Sequence, residues 1–316
     1  MNRKAAKMEL HKKDPHTYRL VLDYLLAYVT QHPRNLLARF ILGEIAENSP
    51  EGRKERGAYI EQAHRIIGKR WHTSCTFIER RLKQNPSDPF PYFAYGVWLL
   101  SHGLENYGSD DGYLAKAINL DPAFTLAYRV QAAMYRGHDQ VGLYVVACKK
   151  ILELEPDPQG YRELAVILCK LRRWDEEEQA YRRIIQLKPM DQNAHYQLGA
   201  CLARLCRYEE ALLSFQHVAE SATGEAYIQT RREIGVCLRN LERYEEAHQV
   251  VSEIVGLSPK QAPLHFELGV CLHYMERLEE AIEAYWQAIR LDQFHRKSYL
   301  NCLTAFEALM EKRGIR

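Results

Sequence analysis
The 316-residue sequence has no Ser- or Gly-rich run, and its 17 Gly and 12 Pro are scattered, so nothing marks a flexible joint between independent domains. Long apolar stretches are missing too. Asp23 interrupts the most apolar early segment and the run from Tyr92 to Leu100 is short, against the roughly 20 apolar residues that a membrane-crossing helix needs. The basic segment 1–16 has no apolar core of the secretory kind, which makes a soluble, cytoplasmic chain starting here the expectation. Eight cysteines lie in helix-patterned segments without such a signal, so free thiols and no disulfide are expected. Nor is there an excess of one charge. With 43 basic and 41 acidic residues the net charge is +2, and the overall balance gives no reason to expect nucleic acid.

Motifs of catalysis are equally absent. There is no G-x-x-x-x-G-K-[ST] phosphate loop, no G-x-S-x-G elbow and no dinucleotide-binding glycine pattern. Cys201 and Cys206 are too far apart for a C-x-x-C metal pair, and His64, His72 and His102 share no ligand spacing. No enzyme activity, cofactor or metal is therefore expected.

What is present is self-similarity. Leu198-Gly199, Ile234-Gly235 and Leu268-Gly269 recur at steps of 36 and 34 residues. Downstream of each comes a small residue four positions before a large one: Ala211 and Phe215, Ala247 and Val251, Ala281 and Tyr285. Four residues is about one helical turn, so both face the same way. Pro189 and Pro259 fall where a second helix must stop, because proline cannot continue the backbone ladder. The unit is helix, turn, helix, stop. Glycine before a large side chain has a packing reason, since a helix without a side chain there can approach its neighbour closely. Cys201, Cys237 and Cys271 occupy one place in successive units and read as small core residues.

This word resembles the tetratricopeptide repeat, with the strongest agreement over residues 158–293. The resemblance implies an all-α, right-handed superhelical α-solenoid of helix-turn-helix repeats. The frame divides the chain into a basic tail (1–16), irregular repeat-like helices (17–124), regular repeats (125–157, 158–191, 192–227, 228–261 and 262–293), and a capping helix and tail (294–316). Two regular repeats depart from the pattern: Glu177 and Tyr144 stand where a small residue is usual, and packing there should be looser. Upstream, Tyr95-Gly96 with Pro122 and Leu42-Gly43 with Pro86 suggest repeats enlarged by insertions at 51–57 and 105–112, behind an orphan helix over 18–31. In the last helix, Tyr299, Cys302, Leu303, Phe306, Leu309 and Met310 form an apolar stripe that should pack on the final repeat.

In this family the first helix of each repeat lines a concave groove. Carried onto this sequence, its ligand-facing positions are Arg129, Arg136, Arg162, Lys170, Tyr196, Arg204, Arg232, Arg239, Phe266, His273 and Tyr274. None is acidic, so the groove should be a basic stripe with aromatic anchors, suited to an extended or helical acidic segment of another protein. Phe90, Phe93, Val97 and Leu100 would form a second apolar patch. The Lys, Asn and Arg set of the family's chaperone-binding clamp is missing, as is the asparagine ladder of its glycosyltransferase-associated members, with Gln197, Glu233 and Glu267 at the ladder positions. Paired acids at Glu209-Glu210, Glu245-Glu246 and Glu279-Glu280 belong to second-helix starts, where the helix dipole favours them. The function expected is a non-catalytic adaptor or scaffold. Two readings stand beside it: a fixed architectural subunit of a multiprotein assembly, and an RNA-binding repeat protein, which the arginines permit but the net charge does not require.

Overall fold
The computed structural model describes residues 24–32, 38, 41–42, 76–101 and 112–314. The 1–16 tail, Gly43, the 51–57 segment, most of 105–112, and His64, His72 and His102 lie outside the described residues. Those described form helices and turns without a strand. The chain divides into two compact units, 1–160 and 161–316.

In the first unit, helical residues 24–31 are followed by α1 (Thr76–Gln84), α2 (Pro89–Ser101), α3 (Tyr113–Leu120), α4 (Thr125–Gly137) and α5 (Val141–Leu154). Its core joins Leu25, Ile41, Ile78, Phe93, Ala117 and Val130. Gly96 lies against Leu114, a Cβ there coming 3.0 Å from its Cγ, so α2 and α3 approach closely. The second apolar patch expected near this end is not a surface: Phe90, Phe93 and Val97 are buried in this core, where Phe90 and Phe93 pack on Phe124. The side chain of Leu100 lies outside the described set.

Helix α6 (Pro158–Lys170) opens at the boundary between the units, and pairs follow in order: α7 (Trp174–Leu187), α8 (Gln192–Arg204), α9 (Tyr208–Ala219), α10 (Gly224–Asn240), α11 (Tyr244–Leu257), α12 (Ala262–Tyr274), α13 (Leu278–Leu291) and α14 (Arg296–Lys312). The glycine argument holds in atomic detail. A Cβ on Gly199 would stand 2.9 Å from the Phe215 ring, on Gly235 2.8 Å from Val251 Cγ2, and on Gly269 2.6 Å from the Tyr285 ring. Each of these large residues is at least 99% buried. Side chains of adjacent repeats then close the core, with Leu198, Ile234 and Cys271 in one cluster.

The turn inside each pair follows one rule. Arg172, Cys206, Glu242 and Glu276 all take a left-handed backbone with φ between 56° and 60°. The next residue is an arginine N-cap whose guanidinium grips the glutamate three positions on: Arg173 with Glu176, Arg207 with Glu210, Arg243 with Glu246, Arg277 with Glu280, at 2.5–2.7 Å. One member of each acidic pair at Glu209-Glu210, Glu245-Glu246 and Glu279-Glu280 is thus a local brace at the helix start, where the dipole also favours it.

The looser packing expected around Glu177 takes a specific form. Its side chain is buried where the three following repeats have alanine, and Arg204 on the next first helix reaches Glu177 Oε1 at 2.7 Å. Glu177 Oε2 has no hydrogen-bond partner among the described residues. One groove arginine is thereby used to neutralise a buried acid.

The stripe expected on the terminal helix is turned by about a quarter. Ser298, Cys302, Ala305 and Leu309 are buried, whereas Tyr299, Leu303 and Phe306 are 44%, 56% and 51% exposed. The physical reason is that α13 already offers small residues, Ala284 and Ala288, so the small side of α14 nests closest. The bulky side is left outward.

Candidate partner-binding surface
Within the second unit, α8 touches α10, α10 touches α12 and α12 touches α14, in addition to the contacts of each with the second helix between them. First helices from α8 onward therefore share one layer, and Tyr196, Arg204, Arg232, Arg239, Phe266, His273 and Tyr274 belong to its helices, whereas Arg162 and Lys170 are on α6. Arg129 and Arg136 belong to the first unit. Arg129 is bonded to Glu155 and lies over the Tyr24 ring, while Arg136 is exposed.

The basic stripe is less bare than the sequence suggests. Arg162 pairs with Asp191 at 3.0 Å, Arg204 with Glu177, and Arg232 with the adjacent Glu233 at 2.8 Å. Lys170 is exposed and has no ion pair among the described residues. Two of the expected ligand-facing side chains are spent on the joint between repeats: Arg204 stacks on Trp174 at 4.8 Å, and Tyr274 lies parallel to Tyr244 at 5.1 Å. Tyr274 still leaves 58% of itself exposed. Phe266 is half-buried between Tyr285 and His295, and His273 is half-buried beside Tyr274.

The structure brings together Tyr196 on α8, Arg232, Glu233 and Arg239 on α10, Glu267 on α12 and Lys297 on α14. Tyr196 packs edge-on against Phe215, and its phenol is pushed up by burial and by Glu233, while Arg232 acts the other way. Burial raises Glu267 above the ordinary carboxylate range, opposed by Arg239, Arg232 and Lys297. Burial thus disfavours the negative charge that would neutralise Arg239. The geometry agrees: Glu267 Oε2 is 3.6 Å from Arg239, longer than a hydrogen bond, and Arg239 Nε is buried without a partner among the described residues. Three cations face two carboxylates here, one of which is disfavoured as an anion. Glu233 and Glu267 each precede the repeat glycine by two positions, the spacing that could have placed them in the site from sequence.

Burial pushes the thiols of Cys201, Cys237 and Cys271 up to about 11, 12 and 11, so they stay protonated at neutral pH. No group of three or more His, Cys, Asp or Glu among the described residues is placed to hold a metal ion. Among the same residues no helix is long and apolar enough to cross a membrane.

Helix pairs stacked through a glycine against a large residue, with a layer of first helices, define an all-α repeat protein of the kind that forms protein-interaction scaffolds. Family models described as tetratricopeptide repeat match residues 162–226 and 262–295, and the chain is a tetratricopeptide repeat protein over these segments. No curated protein matches it. Among solved structures, that of Naa15/Naa10 bound to HypK-THB is similar with a TM-score of 0.58 and 18% identity, covering 77% of this chain and 38% of that one. YrrB, described as a TPR protein with an unusual peptide-binding site, has a TM-score of 0.46 and 21% identity over 59% of this chain and 95% of its own. MamA 41-end from Desulfovibrio magneticus RS-1 has 0.46 and 19%, over 54% and 96%. At these identities the likeness to the first is one of fold, and the other two add no argument.

Proposed function
We propose that the chain is a non-catalytic adaptor that holds an acidic segment of another protein against the first-helix layer of its second unit. The observation that carries this reading is the under-neutralised Arg239. Among the described residues its Nε has no partner, its nearest carboxylate is 3.6 Å away and burial disfavours that carboxylate's charge. An incoming Asp or Glu would supply the missing negative charge, with Arg232 and Lys297 adding to the attraction and Phe266 and Tyr274 offering apolar contact. Arg162 and Lys170 would extend the site along the layer. A cytosolic setting suits the buried free thiols.

Selection of a random peptide library on the full chain tests the proposal. The selected peptides should be enriched in Asp and Glu, and their affinity should fall by roughly tenfold or more as salt rises from low to physiological strength, because partly exposed charges are screened. Recovery of only neutral, salt-insensitive binders would overturn it. A steep salt slope with RNA and none with acidic peptides would favour nucleic acid instead.

A further inference from the structure
The outward side of α14 is explained neither by the repeat core nor by the groove. Tyr299, Leu303 and Phe306 are about half exposed and recur at steps of four and three residues, so they form one continuous apolar stripe, with the half-buried Met310 extending it. Helix α14 occupies a first-helix place, packing on α13 and touching α12. In that place the stripe is the side on which a second helix docks, since Leu303 stands where Gly269 meets Tyr285 one repeat earlier. A leucine there rules out the close approach that the glycine allows, so the occupant must be a helix packed at ordinary distance, about 8–10 Å between axes.

The pattern of the stripe is self-complementary. Tyr299 and Phe306 are symmetric about the Cys302–Leu303 bond. On one flank of the stripe, Arg296 lies before that centre and Glu307 and Glu311 after it, all three exposed and without an ion pair among the described residues. Neighbouring Lys312 and Arg313, by contrast, are already paired with Glu276 and Glu279. An antiparallel copy of the same helix would set Tyr299 against Phe306 of the partner subunit, and Arg296 against the partner's Glu307 and the partner's Glu311. A parallel copy would set this flank against the opposite flank of the partner helix, and the Arg296–glutamate pairing would be lost. We infer that α14 is an antiparallel self-association surface, its occupant a second copy of this chain related by a two-fold axis near Leu303. One helix pair offers less than the roughly 800 Å² per partner of a stable complex, so the dimer is a weak, concentration-dependent one. This inference is independent of the acidic-segment proposal, which uses a different face.

Sedimentation velocity of the full chain from about 1 to 200 μM tests it. The expected result is a concentration-dependent monomer–dimer equilibrium. Leu303→Glu with Phe306→Glu should leave monomer throughout, with circular dichroism and melting unchanged because both side chains are exposed. Arg296→Glu should raise the dissociation constant by roughly tenfold, and adding Glu307→Arg and Glu311→Arg to it should restore the dimer, since the reversed charges again face opposite ones. A chain that stays monomeric over the whole range, a dimer that survives the stripe variant, or a triple charge reversal that fails to restore association would each overturn the assignment.

Discussion
At the residue scale, one helical position can meet different structural needs in successive repeats. Gly269 is the clearest structural case, because the Tyr285 ring it meets is fully buried and cannot swing away. Gly269→Ala should therefore destabilise by about 1–3 kcal/mol through overpacking, measured by denaturant titration. Gly256, with nothing within 4 Å of a Cβ, is the matched control, and Gly256→Ala should stabilise by about 0.5–1 kcal/mol through helix propensity. Equal effects at the two sites would discard the close-approach account. Arg204 is the mixed case. Removing it strands Glu177 buried and unpaired, so Arg204→Ala should cost roughly 1–3 kcal/mol, less than a fully buried pair because its side chain is 38% exposed. Glu177→Ala should cost under about 1 kcal/mol, since alanine serves that position in the following repeats and Arg204 can then turn to solvent. A larger loss for Glu177→Ala than for Arg204→Ala would show that the acid has a role of its own.

At the element scale, the helix pair was legible in the sequence because two of its determinants are short-range. A glycine at a fixed phase and a large residue one turn after a small one both report packing between neighbouring helices, and these contacts are present at Gly199, Gly235 and Gly269. The left-handed turn was not legible. Arg172, Cys206, Glu242 and Glu276 share the conformation without the glycine or asparagine that would announce it; the arginine–glutamate brace that follows offsets the strain. That makes the turn improvable. Glu242→Gly should raise stability by about 0.5–1 kcal/mol, read as a higher melting temperature, whereas Glu242→Val should lower it, because β-branching is least tolerated at positive φ. The stripe on α14 misled for a related reason: periodicity finds an apolar side but cannot say which of two adjacent sides faces the core. Cys302 and Leu309 belong to the buried side and Tyr299, Leu303 and Phe306 to the open one, and only the small residues of α13 decide between them.

At the scale of the whole molecule, the sequence could show which cationic and aromatic residues fall on first helices, while the charge balance of the proposed surface depends on residues far along the chain. Arg129 with Glu155, Arg162 with Asp191, Arg204 with Glu177 and Arg239 with Glu267 join positions 26–29 residues apart, and no local pattern reveals such pairing. A basic stripe was the expectation; arginines largely paired with acids, and an under-neutralised Arg239 in the second unit, are what the fold produces. The proposal that this layer takes an acidic segment is tested most directly by removing the pair while keeping its volume, as Arg239→Met with Glu267→Leu. Replacing a buried ion pair by apolar side chains is commonly neutral or stabilising, so melting and helicity should be retained within a few degrees. The affinity of a selected acidic peptide should nonetheless fall at least about tenfold, while Arg183→Glu with Arg290→Glu, two exposed charges on second helices, leaves it within about twofold. A folded Arg239→Met, Glu267→Leu variant that binds the peptide as tightly as the wild type, or an equal loss in the second-helix control, would contradict the account.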